Sequence, residues 1–231
     1  MEHLSEDVLT HKCDEFIQDS TGAGAAFTSP YNLTGSGIGV AVVDSGAGSM
    51  AVSAPPDVSG RTVNGPNFAP GSNGIISPGT YTDTCGHGTH VAGIIAGNGQ
   101  MSSGTAFKRH FNGVARSAKI IGVRVLDNTG AGTVGNVISG IPWCVLNKST
   151  YNIRVINFSL GHDVGESYTM DPLCQAVESA WNAGIVVVCA AGNTRSANTV
   201  ATNGMDNEAG ARHTDRFNRL ETTPSSSPSA R

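Results

Sequence analysis

Four short runs of apolar, largely β-branched residues recur along the chain: Ile38 to Val43, Ile120 to Leu126, Ile153 to Phe158 and Ile185 to Ala190. The first and last are apolar throughout, and the middle two are interrupted only by Arg124 and by Arg154 and Asn157, the pattern of strands covered on both faces. Stretches of helical spacing lie between them. Val91, Ile94 and Ile95 precede Gly97, and Val134, Val137, Ile138, Ile141 and Val145 form a second stripe. Pro142 stands inside that stripe and is expected to kink or shorten the helix. Asp171-Pro172 starts a third helix with a capping carboxylate and a proline at the first helical position. Leu173, Val177, Ala180 and Trp181 line its face, and Gly184 ends it. Strands alternating with helices predict an α/β chain whose parallel sheet is covered on both faces.

The intervening segments are less regular. Residues 1–36 read as an irregular lead-in with a short helix near 11–18. Residues 47–86, rich in Gly, Pro, Ser and Asn, read as a long loop region with little regular structure. After Asn193 no apolar run follows, and the chain ends Thr-Thr-Pro-Ser-Ser-Ser-Pro-Ser-Ala-Arg. Such a stretch lacks the apolar surface needed to hold an ordered conformation. The expected division is a lead-in over 1–36, an α/β domain over 37–207 and a non-native or disordered tail over 208–231.

Length and charge narrow the function. A chain of 231 residues suits one sizeable domain. The net charge of −4 and the lack of a basic block argue against a nucleic-acid partner. The apolar runs are far too short to span a membrane. No secretory signal is visible in the polar, acidic residues 1–20. Five widely spaced cysteines, Cys13, Cys85, Cys144, Cys174 and Cys189, form neither a zinc pattern nor a dense disulfide framework. Cys144, Cys174 and Cys189 lie in apolar stretches and read as buried free thiols.

In an open parallel sheet, ligands bind beyond the carboxyl ends of the strands. Asp44 follows the first run, Ser159-Leu160-Gly161 the third and Ala191-Gly192-Asn193 the fourth, while Gly86-His87-Gly88-Thr89-His90 opens the first helix. Singly, each has a plain explanation: a turn-forming Asp, a His at a helix start, a loop Asn. Together on one edge they supply a proton shuttle in His87, a carboxylate in Asp44 to hold its tautomer, and an amide donor in Asn193 for a developing oxyanion. Two other readings fail. Gly46 to Ala51 fits a dinucleotide fingerprint, but Ala54-Pro55-Pro56 breaks the helix that should open there. His87 and His90 are three apart, and Gly88 stands where a zinc-protease helix has Glu.

These segments resemble the subtilase family. Gly37-Ile-Gly-Val-Ala-Val-Val-Asp44-Ser-Gly is similar to its aspartate motif and Gly86-His87-Gly-Thr-His-Val-Ala-Gly-Ile-Ile-Ala-Gly97 to its histidine motif. Arg154-Val-Ile-Asn-Phe-Ser159-Leu-Gly resembles the substrate-lining segment, and Ala190-Ala-Gly-Asn193 the oxyanion-hole motif. The order matches, over residues 33–193. The resemblance implies a three-layer α/β/α fold with a mostly parallel, doubly wound sheet, incomplete at the C-terminus. It implies a subtilisin-like serine endopeptidase acting on polypeptides, with Asp44 and His87 catalytic, Asn193 in the oxyanion hole, and Ser159, Leu160 and Gly161 pairing with substrate backbone. It implies no cofactor for catalysis, structural calcium with Asp57 and Asp83 as candidate ligands and no site assigned, an extracellular setting and a monomer. Cys85, two residues from His87, has no catalytic role by this resemblance.

One departure is large. The family's nucleophile sits in a Gly-Thr-Ser-x-Ala-x-Pro motif, and no such motif occurs in these 231 residues. The chain as written is therefore expected to be inactive. The alternative is a binding or decoy module that keeps the fold, or a product without function. The tail suggests a cause. When the third base of each codon is joined to the first two of the next, residues 210–231 permit Gly-Thr-Thr-Tyr-Gly-Ser-Ile-Gln-Ser-Pro-Gly-Asn-Asp-Pro-Phe-Val-Ile-Thr-Val-Gly-Ala. That string resembles the subtilase segment after the oxyanion-hole strand and ends in a buried-strand pattern. A frameshift near residue 208 is expected.

Overall fold

The computed structural model describes residues 21–48, 57–74, 82–107, 110–162 and 167–190. The expected helix near 11–18, Asn193 and the tail over 208–231 lie outside them. Five strands form one sheet: β1 (Gly39–Asp44), β2 (Thr62–Asn67), β3 (Lys119–Arg124), β4 (Ile153–Phe158) and β5 (Val186–Cys189). Their spatial order is β2-β3-β1-β4-β5, and every pair is parallel. The helices are α1 (Ala23–Ala26), α2 (His87–Ala96), α3 (Val134–Leu146), α4 (Lys148–Tyr151) and α5 (Pro172–Asn182). The short α1 falls within the lead-in expected to be irregular.

Strand β1 lies at the centre because it is apolar on both faces. Val40 and Val42 pack with Ala92 and Ala96 of α2, while Ala41 and Val43 pack with Val137 and Ile141 of α3 and Leu173 of α5. Successive strand residues point to opposite faces, so one six-residue run serves two cores. This is the α/β/α layering the sequence predicts. The strand is flanked by β3 on one side and β4 on the other, so Asp44 at its carboxyl end stands between the segments that leave those two strands.

Strand β2 corrects the expectation of a loop over 47–86. Its sequence, Thr-Val-Asn-Gly-Pro-Asn, carries turn residues. It pairs only with β3, at the edge of the described sheet, with a register shift between Asn64 and Asn67. An edge tolerates Pro66, whose missing N–H costs no ladder bond on the open side. Gly65 lets the backbone lie against the Gly122 carbonyl, which a Cβ there would strike.

Helix α3 also differs. It runs through Pro142 to Leu146, so the proline does not shorten it. Thr133 and Asn136 form a capping box at its start, and Val137, Ile141 and Cys144 bury its face. In α5 the expected cap is present: Asp171 accepts from the amides of Leu173 and Cys174, and Pro172 is the first helical residue. Among the described residues no helix is long and apolar enough to cross a membrane.

Candidate active site

The helix that begins with His87 buries small residues. Gly88, Ala92 and Ala96 face the sheet, whereas Ile94, expected on the apolar stripe, is exposed. A small face brings the helix backbone close to the turn after β1. A Cβ on Gly88 would fall inside the shell of the Gly46 carbonyl oxygen and beside the Asp44 carboxylate. Only glycine permits this approach, and it delivers His87 to Asp44.

His87 Nδ1 lies 2.8 Å from Asp44 Oδ1 and 3.0 Å from Oδ2. An ionised carboxylate can only accept, so Nδ1–H donates, and in the neutral ring Nε2 then carries the lone pair. The Asp44 side chain is fully buried, while that of His87 is 46% exposed. Ser45 N–H also donates to Asp44 Oδ1, at 2.6 Å. A buried, oriented carboxylate behind a half-open imidazole is the arrangement in which the ring takes a proton at Nε2 and the resulting imidazolium is stabilised.

A cleft of about 480 Å³ opens beside this pair. His87 and Cys85 line it, together with Gly130, Ala131 and Gly132 after β3 and Ser159, Leu160 and Gly161 after β4. The three residues expected to bind substrate thus share a cavity with His87. The segment 130–132 is a wall that the sequence reading missed. It is held by the Asp127 turn, where Oδ1 accepts from the Thr129 hydroxyl at 2.7 Å and from the Ala131 amide at 3.0 Å. Those bonds, the Thr129 hydroxyl first, then the Ala131 and Thr129 amides, hold the Asp127 carboxyl below the usual carboxylate range.

Both candidate calcium ligands already accept hydrogen bonds from described residues. Both oxygens of Asp83 are engaged: Oδ1 accepts from Ser45 Oγ and Gly86 N, and Oδ2 from Thr89 N. Asp57 Oδ1 accepts from Met101 N, and its charge faces the Arg61 guanidinium. Among the described residues no three His, Cys, Asp or Glu side chains cluster as a metal site. None of the described cysteines is in a disulfide. Cys144 is buried as expected and pushed up to about 12 by that burial; Cys174 is half-buried and raised to about 11 by burial and then by Asp171. Cys189 is also only partly buried. Cys85 is exposed at the cleft rim.

Residues 35–220 match the family described as the subtilase family, peptidase S8. The chain belongs to the subtilase family. It is 41% identical to the serine protease AprX of Bacillus subtilis (strain 168), over 75% of this chain and 37% of that protein. It is 42% identical to thermitase of Thermoactinomyces vulgaris, over 69% of this chain and 48% of that one. Against subtilisin E of Bacillus subtilis (strain 168) the figures are 40%, 87% and 46%. Among solved structures, a cold adapted subtilisin-like serine proteinase superposes with a TM-score of 0.52 at 34% identity, covering 70% of this subtilase and 49% of that chain. This subtilase spans about half the length, or less, of these relatives.

Proposed function

We propose that this subtilase carries the proton-handling and substrate-binding half of a serine endopeptidase site. The observation that carries the reading is the His87 Nδ1–H donated to buried Asp44 at the edge of a cleft walled by 130–132 and 159–161. An extended polypeptide would lie in that cleft, pairing its backbone with Ser159 to Gly161. His87 Nε2 would accept the proton of a serine hydroxyl as that oxygen attacks the scissile carbonyl, then return it to the leaving amine. Asn193 would donate to the oxyanion. The setting is extracellular and the unit a monomer; the family resemblance alone supports both. No Gly-Thr-Ser nucleophile motif stands in these 231 residues, and on this reading the chain as given forms no acyl-enzyme.

That missing motif also favours a second reading, in which the chain binds peptide without cleaving it. A serine-directed fluorophosphonate probe tests the first. The 231-residue chain should label no more than a denatured control. Stoichiometric labelling would show a nucleophile in this chain and overturn the statement that it forms no acyl-enzyme.

A further inference from the structure

Helix α2 has no cap of its own. Gly86 occupies the N-cap position and has no side chain to accept the first-turn amides, which a helix leaves without partners. Two side chains from elsewhere take them. Asp83 accepts from Gly86 N at 2.8 Å through Oδ1 and from Thr89 N at 2.7 Å through Oδ2. Ser45 Oγ accepts from Gly88 N at 3.0 Å and donates to Asp83 Oδ1 at 2.8 Å. Those amides belong to residues 86, 88 and 89, so they bracket His87 on both sides.

Ser45 is also the residue after Asp44, and its own N–H donates to the Asp44 carboxylate. A closed circuit therefore runs from Asp44 through Ser45 and Asp83 to the first turn of α2, and returns from His87 Nδ1 to Asp44. Ser45 and Asp83 are both buried. Buried hydrogen bonds to a carboxylate at the positive end of a helix are strong and poorly replaced by water. The His87 side chain is nearly half exposed. Its placement is set by where its backbone sits, and the Asp83 bonds fix that backbone. The Asp83 N–H donates in turn to the Gly48 carbonyl, so the carboxylate is itself held.

We propose that Asp83 is a positioning residue: through Ser45 and the first turn of α2 it fixes the imidazole of His87 against Asp44. The proposal rests on the reading of Asp44 and His87 as the catalytic pair. Asp83 does not touch the reacting atoms. A displacement of about 1 Å at such a pair is enough to disturb proton transfer.

The test uses the 15N-labelled 231-residue chain and needs no turnover. The His87 ring nitrogens are identified by their loss in His87→Ala. In its neutral form, the parent ring should show a protonated Nδ1 and a bare Nε2. Asp83→Asn keeps the shape but offers one acceptor oxygen to three donors, and Ser45→Ala removes the bridge. In both, the two nitrogen shifts should move toward the tautomer-averaged value. Asp171→Asn, which weakens the cap of α5 instead, should leave them at the parental values. Unchanged shifts in the folded variants overturn the proposal while leaving the pair intact. Averaged tautomers in the parent overturn the catalytic pairing itself, and the proposal with it. If Asp83→Asn does not fold, Ser45→Ala decides by the same shifts.

Discussion

Gly88 shows how much of the site depends on the absence of a side chain. Its backbone lies against the Gly46 carbonyl and the Asp44 carboxylate, with no room for a Cβ. Gly88→Ala should push the start of α2 away from β1, with an overpacking cost of about 3 kcal/mol. Urea denaturation should show that loss together with averaged His87 tautomers; a variant as stable as the parent, with an unchanged ring, would contradict the close approach. Asp44 and His87 were legible in the sequence because each follows directly from an element boundary that periodicity marks. The part played by Ser45 and Asp83 was not legible. The Ser45 hydroxyl reaches Asp83 across 38 residues and the Gly88 amide across 43, and Asp83, whose bonds to Gly86 and Thr89 are local, sat in a stretch read as loop, where a carboxylate suggests a cation as readily as a helix cap. The only local hint was the N-cap glycine at Gly86, which must borrow acceptors from elsewhere.

At the scale of elements, the four apolar runs and the Asp171-Pro172 start all fall where the sequence placed them. Strand β2 was missed because an edge strand needs neither an apolar run nor a full set of N–H donors. Helix α2 was placed correctly, but its buried face was not. Apolar periodicity weights Ile94, whereas the close approach to β1 selects Gly88, Ala92 and Ala96. The Asp127 turn connects β3 to the cleft wall and makes that wall acid-sensitive. Its carboxyl is held below the ordinary range, so its hydrogen bonds contribute fully above the unfolded value of about 3.9 and are lost as pH falls through the lower folded value. The Thr129 and Ala131 amide resonances should titrate together, with a midpoint below about 3.9. A midpoint at or above that value would contradict the turn as described.

At the scale of the whole molecule, the proposed reading gives this subtilase two of the groups that acyl transfer requires, Asp44 and His87, and the frameshift proposal concerns the third. The frameshift expectation predicts that a neighbouring reading frame encodes Phe-Val-Ile-Thr-Val-Gly-Ala and, farther on, a Gly-Thr-Ser motif. The family match runs to residue 220, past the position where the frameshift is expected. Sequencing the gene through this stretch checks it; a neighbouring frame without that strand would contradict the frameshift and favour the binding module. On the proposed reading, Asp44 and His87 move the proton in peptide hydrolysis. The most direct test is turnover of an unfolded protein substrate by a longer version of this chain that includes the Gly-Thr-Ser motif, with and without His87→Ala. The substitution should lower kcat by about 10⁴-fold or more while the protein stays folded. Near-parental turnover by a folded His87→Ala protein would contradict the account.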